Sequence, residues 1–186
     1  MTITMGRKIT VVAAAAAVAL AGLLATTGGI AGAGDGARAI LRNQEGVEVG
    51  VVKFSQEDGF VQVKANAAFP GSLAPGFKGF HIHAGAECVA PFTSAAGHLG
   101  HNAADPTSTP HSTHDGDMPV LLVNGDGAAF ARFLTDRVTI GDIVGRTVIV
   151  HAGPDNYGNV TRYGTPDATT LATGDAGARY ACGVIR

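Results

Sequence analysis

The 186-residue chain has no tryptophan, only two cysteines, and charged side chains at only 15% of its positions. Thirteen Lys and Arg face fifteen Asp and Glu, a formal net charge of −2. That balance excludes a nucleic-acid binder working through a basic surface. Charged disorder is excluded as well, because 46% of residues are hydrophobic, enough for one real core. Internal repeats are missing, and no stretch supports a helix of more than a turn or two. What is abundant is glycine, 27 residues, together with Val and Thr. This composition predicts one all-β domain with many turns.

The first 33 residues stand apart. Arg7 and Lys8 form a basic start with no acid, Val11 to Ala25 holds no polar residue, and small residues follow from Gly28 to Ala33. This is the pattern of a secretory signal peptide over 1–33, with cleavage after Ala33 in Ala31-Gly32-Ala33. A retained anchor is the alternative, although the apolar run is short of the ~20 residues a span needs. The expected mature domain is 34–186. Losing Arg7 and Lys8 leaves it eleven basic and fifteen acidic residues, a net charge of −4. Such a protein is exported (secreted, cell-envelope or periplasmic), with no stable membrane insertion after cleavage. Disulfides persist there, and Cys88 and Cys182 allow only one pairing. Closing a loop that long removes unfolded-state entropy worth about 4–5 kcal/mol.

Within the mature part, Val47, Val49 and Val51 alternate with other residues, Glu57-Asp58-Gly59 signals a turn, and Phe60 to Ala65 alternates again: a hairpin. Gly79 to His83 reads as a strand. A second hairpin joins Val120–Val123 to Ala128–Leu134 through Asn124-Gly125-Asp126-Gly127. Ile140–Val144 is a short apolar piece, Thr147–His151 a β-branched strand, and Tyr180–Ile185 a closing strand. Two long loops, Ala84–Asp117 and Gly153–Ala178, interrupt them. Short strands with regular turns predict a sandwich or barrel.

All seven histidines lie between His81 and His151, six of them between His81 and His114. On a strand, His81 and His83 share a face with backbones roughly 6.5–7 Å apart, a spacing that lets two imidazoles converge on one metal ion. His98, His101, His111 and His114 crowd the adjoining loop, and Asp117 follows three residues after the last. Imidazoles suit copper or zinc, and an added carboxylate in a closed site favours zinc. The chain therefore offers ligands for two sites, one all-nitrogen and one with three histidines and an aspartate.

Five blocks occur in one order: Gly79-Phe80-His81-Ile82-His83; Ser94 to His98; His114-Asp115-Gly116-Asp117-Met118-Pro119; His151-Ala152-Gly153-Pro154-Asp155; and Gly174 to Ile185. Together they resemble the copper/zinc superoxide dismutase family, in its exported bacterial type, over about Val47 to Ile185. The resemblance implies a flattened eight-stranded Greek-key β-barrel and the conversion of superoxide to O₂ and H₂O₂ at a copper that alternates between Cu(II) and Cu(I). It implies copper ligands His81, His83, His98 and His151. His98 would also face zinc, alongside His114, Asp117 and a third histidine. That third histidine is best matched by His111, with His101 as the other candidate, because nothing occupies the family's usual place for it. Asp155 matches the acid that links the two sites by hydrogen bonds to outer ring nitrogens, Arg179 the arginine beside the copper channel, and Cys88–Cys182 the intrasubunit disulfide. Arg179 and His98 are the expected catalytic residues. Lys78 departs from the family, where many members carry a histidine. The implied cofactors are Cu and Zn, with a copper-only site as the variant, and the implied small partner is superoxide, with no nucleic acid. Relatives include monomers and homodimers. A metal-buffering or delivery module on the same fold is the competing function.

Overall fold

The structure, a computed structural model, describes residues 36–158 and 166–186. The expected signal peptide lies outside these residues. Nine strands dominate: β1 Gly36–Asn43, β2 Glu48–Glu57, β3 Phe60–Ala68, β4 Gly76–Lys78, β5 Phe80–His83, β6 Leu121–Val123, β7 Ala128–Thr135, β8 Thr147–His151 and β9 Arg179–Val184. All pairings are antiparallel, in the order β4-β6-β7-β3-β2-β1-β9-β8-β5. The two edges, β4 and β5, are separated only by Gly79, so one interrupted strand forms both edges and brings the sheet almost to closure. Counted as one, β4 and β5 give the eight strands expected from the sequence.

Alternation builds the barrel. Along β3, Val61, Val63, Ala65 and Ala67 are buried and their neighbours face outward. The interior is filled by Leu41, Phe54, Phe69, Phe80, Ile82, Leu121 and Ile143, each at most 2% exposed. β5 and β8 are buried at every position, so His81, His83 and His151 leave the barrel wall into an interior rather than into water.

Four features differ from the sequence reading. Strands β1 and β4 were not foreseen. The apolar piece near Ile140 is a helix, α1 (Ile140–Ile143), whose Thr139 hydroxyl donates to Asp142 at 2.7 Å while the Asp142 carboxylate accepts from the Thr139 backbone N–H at 2.7 Å. The second long loop contains a helix, α2 (Ala168–Thr173), opened by the Asp167 carboxylate accepting from Thr170 N at 2.8 Å and closed by Gly174 in the left-handed conformation.

Cys88 and Cys182 are bonded, with Cα atoms 5.7 Å apart. The bond ties the long loop after β5 to β9. Phe92, Ala95, Ile149 and Cys182 form a small separate cluster beneath it. Buried Lys78 donates to the carbonyl of Ala152 at 3.0 Å, tying β4 to the turn after β8.

Candidate metal centre

Two backbone devices bring the scattered histidines together. The loop after β5 runs back along it: Leu99 N donates to Ile82 O, Ile82 N to Gly116 O and Gly116 N to Leu99 O, each at 2.9 Å. His98 thereby sits beside His83 and Asp117 beside His81. His151, at the end of β8, donates its N–H to Gly79 O at 2.8 Å. Position 79 must be glycine, since a Cβ there would lie 2.5 Å from the Ala176 Cβ and 3.0 Å from the His81 ring.

His81, His83, His98 and His151 form one group, all buried, with one ligand-capable atom from each lying within 4.8 Å of the others. The outer nitrogen of each ring is committed. His83 Nδ1–H donates to Ala96 O at 2.9 Å, and His151 Nδ1–H to Gly177 O at 3.1 Å. His81 Nε2–H donates to Asp155 Oδ2 at 2.6 Å, and His98 Nδ1 lies 2.9 Å from Asp117 Oδ1. A carbonyl or carboxylate can only accept, so the remaining nitrogen of a neutral ring carries a lone pair. Those remaining atoms, His81 Nδ1, His83 Nε2, His98 Nε2 and His151 Nε2, are buried and have no hydrogen-bond partner. Four inward lone pairs without a donor call for a cation, and four imidazoles suit copper.

A second set of residues placed to hold a metal ion is His81, His98, His111 and Asp117, sharing His81 and His98 with the first, and His114 stands beside it. Asp117 Oδ1 lies 2.9 Å from His98 Nδ1, 3.2 Å from His111 Nδ1 and 3.2 Å from His114 Nδ1. Three imidazole nitrogens around one carboxylate oxygen is the donor set of a closed zinc site. Asp155 joins the groups, since it accepts from His81 and also lies 2.8 Å from His111 Nε2. His101 is not among these donors. Its Nδ1 instead lies 3.2 Å from His114 Nε2, where it can accept the outer N–H of that ring. Of the two candidates for the third histidine, His111 is the one beside Asp117.

Sequence reasoning missed several supports. Arg137 Nη1 donates to the carbonyls of Ser112 (2.7 Å) and His114 (3.0 Å) and so fixes the segment carrying His111 and His114. No spacing rule points to it. Gly174 (φ +59°) lets α2 close on the site, because a Cβ there would meet Asp155 Oδ1 at 2.2 Å and His111 Nε2 at 2.4 Å.

Arg179, at the start of β9, donates to the carbonyls of Phe92 and Ala96. With His83, His98, His101, His151 and Thr173 it lines a cavity of about 500 Å³. Asp175 also borders the cavity, but one of its oxygens is occupied by Asn156 Nδ2 at 2.6 Å and Thr170 Oγ1 at 2.9 Å.

The protonation pattern of the metal-free centre follows from burial and carboxylates. Burial drives His83 well below its ordinary value, and burial with neighbouring rings takes His98 to about 3 and His151 to about 4. Burial also disfavours charge on His111, but its hydrogen bonds to Asp117 and Asp155 outweigh that and raise it to about 9. Hydrogen bonds from the histidines likewise overcome burial and keep Asp117 and Asp155 ionised far below the usual carboxylate range.

A barrel that turns four bare imidazole nitrogens toward one point, and three more around a carboxylate beside it, is the frame of a redox enzyme with two adjacent metal sites. The comparisons agree. Residues 48–185 match the family described as copper/zinc superoxide dismutase (SODC). The chain is similar to the Cu-Zn superoxide dismutase of Mycobacterium tuberculosis, 41% identical over 167 residues that cover 78% of this chain and 68% of that protein. It is also similar to the Photobacterium leiognathi enzyme, 33% identical over 153 residues, 77% of this chain and 82% of that one. Among solved structures, the clock protein EA4 superposes with a TM-score of 0.64 at 27% identity, covering 81% of this chain and 93% of that one. The chain belongs to the copper/zinc superoxide dismutase family, and is an oxidoreductase that uses copper and zinc.

The metal-free protein is expected to lose stability on both sides of neutrality. His98 and His151 stay neutral in the fold, so stability falls as pH drops from 6.5 toward 4, where the unfolded rings take up protons. His111 holds its proton up to about 9, so the stability it adds, complete below 6.5, is lost as pH rises through 9. Urea midpoints of the demetallated protein between pH 4 and 10 check this; a flat profile contradicts it.

Proposed function

We propose that superoxide is dismutated at the His81, His83, His98 and His151 group, with copper held there and zinc held by His98, His111, His114 and Asp117. The observation that carries this reading is the set of four partnerless inward nitrogens beside a cavity that Arg179 also lines. Copper supplies the chemistry when bound, accepting an electron from one superoxide and returning one to the next. The chain's residues do the rest. Arg179 stays charged at any working pH, and its guanidinium, fixed on two carbonyls, offers a cation to the incoming anion. With a formal mature charge of −4 the protein as a whole repels that anion, so attraction has to be local. His98 presents one nitrogen to each group; whenever its Nε2 is not engaged as a ligand, that atom would hold one proton for the departing peroxide, the second proton coming from solvent. Asp155 holds the outer nitrogens of His81 and His111, so both rings keep their aim when the charge at the centre changes.

In this reading the enzyme is exported. Residues 1–33 are a signal peptide cleaved after Ala33, and the basic start, apolar run and small-residue tail support it, as does the disulfide. Residues 34–186 are the enzyme.

Metal analysis paired with a superoxide-consumption assay tests the function. The purified protein is expected to hold one copper and one zinc per chain, to lose turnover when copper is removed, and to regain it on readdition. An intact copper site with no turnover would point instead to metal buffering or delivery.

The two candidate zinc histidines are expected to separate on substitution. His111→Ala should purify with copper but less than about a tenth of the zinc. His101→Ala should retain zinc but release it to a chelator roughly 10–100-fold more readily, as the loss of a hydrogen-bond partner to a ligand does. Full zinc loss in His101→Ala alone would exchange their roles.

Arg179→Ala is expected to lower kcat/KM by about tenfold at low salt, with a smaller difference at high salt, where steering is screened. Turnover within a factor of two of the parent at low salt would remove Arg179 from the mechanism.

A further inference from the structure

On the outer face of the barrel, away from the histidines, the strand register aligns like charges. Arg38 stands opposite Lys53, Lys53 opposite Lys64, and Lys64 opposite Arg132. Arg186 extends the line, exchanging both backbone hydrogen bonds with Arg38 at 2.8 Å each. Directly opposed residues of antiparallel strands project to the same side, so five cations form one row, and all five are exposed. At about 4.8 Å per strand the row is about 19 Å long.

Such a row is unfavourable by itself, because like charges directly opposite each other repel. Among the described residues, neither adjacent row holds an acidic side chain. The next row on one side is Gly36, Ser55, Gln62 and Leu134; on the other it is Ile40, Val51, Asn66 and Phe130. Among the described residues the only ion pair between a Lys or Arg and an acid is Arg42–Glu48. Five of the eleven basic residues of the 34–186 segment are thus gathered with no acidic partner among the described residues, although that segment is net negative. Beside Arg38 and Arg186 the surface sinks into a groove of about 550 Å³ that Arg42 also lines.

We infer that this row binds a linear acidic glycan. Three observations select that chemistry. The row follows the curve of a nearly closed barrel, so a flexible chain can meet all five cations whereas a flat bilayer can touch only part of the line. The flanking rows supply a hydroxyl and two amides, Ser55, Gln62 and Asn66, which are groups that pair with sugar hydroxyls. Phe130, 66% exposed, stands at the end of one flank, where its ring can cover the apolar C–H face of a pyranose.

Binding of the full-length protein to a fluorescent oligogalacturonate tests this, against neutral dextran, inorganic polyphosphate and phosphatidylglycerol vesicles. Affinity should fall with salt, log Kd against log [salt] having a slope of about 3–4. The variant Lys53→Gln/Lys64→Gln should bind at least tenfold more weakly, with the slope reduced by about 2, while Lys53→Arg/Lys64→Arg should bind as the parent does. Ser72→Asp/Asn124→Asp imposes the same net charge change elsewhere and should stay within twofold. Relief of repulsion should leave the Gln variant folded, with Tm raised by about 1–4 °C. The inference is overturned if the Gln pair changes nothing, if the distant pair costs as much, if polyphosphate or vesicles bind more tightly than the uronate, or if Tm falls.

Discussion

A buried carboxylate between two imidazoles, Asp155 between His81 and His111, is the constraint on which the centre depends. Its Oδ2 accepts from His81 Nε2 at 2.6 Å, which forces the bare nitrogen of that ring to be Nδ1 and to face the copper group. On its other side it lies 2.8 Å from His111 Nε2, which turns Nδ1 of that ring toward Asp117. One residue thus sets the tautomer in one group and the aim of a ring in the other. The Tyr157 N–H, at 2.7 Å, and the close approach of Gly174 hold the carboxylate itself in place. Hydrogen bonds from His111 and His81 keep it ionised despite its burial. Substituting it would leave both rings free to turn, so its effect reaches both groups of possible metal ligands.

A second chain of contacts ties substrate attraction to the same architecture. The carbonyl of Ala96 accepts from His83 and from Arg179 at once. The loop that carries this carbonyl is fastened to β9 by Cys88–Cys182, and Arg179 is three residues from Cys182 on that strand. A ligand ring, the cation beside it and the covalent clasp are therefore one unit. The disulfide fixes the reference position from which the arginine is aimed, in addition to restricting the unfolded chain.

Much of this was legible in the residues. The histidines His81, His83, His98 and His151, their order and the glycine-rich blocks around them point to the four-histidine group, and Asp117 three positions after His114 points to the second. Strand β1 was not legible, because an equally apolar Ile40 faces out between inward Ala39 and Leu41, so the alternation cannot be separated from noise. Helix α2 is spelled Ala-Thr-Thr-Leu-Ala-Thr, with β-branched residues that disfavour helix, and it exists through its caps. The choice between His101 and His111 was open in the sequence because each lies three residues from a firmly placed histidine. In the structure His111 N donates to Leu171 O at 2.7 Å and the ring lies beside Asp155 and Asp117, which favours His111.

The basic row shows a kind of information that single-strand periodicity hides. Arg38, Lys53, Lys64 and Arg132 each look like ordinary outward residues of an amphipathic strand, and each taken alone would be dismissed as a solubilising charge. Only the register across four neighbouring strands makes them adjacent. The same register keeps acids out of the two flanking rows. The fold thus carries two separate arrangements of positive charge, Arg179 in a cavity small enough for an oxygen radical and a long exposed line suited to a polymer. The outer row and the cavity that Arg179 lines share no residue, so the two can serve different partners.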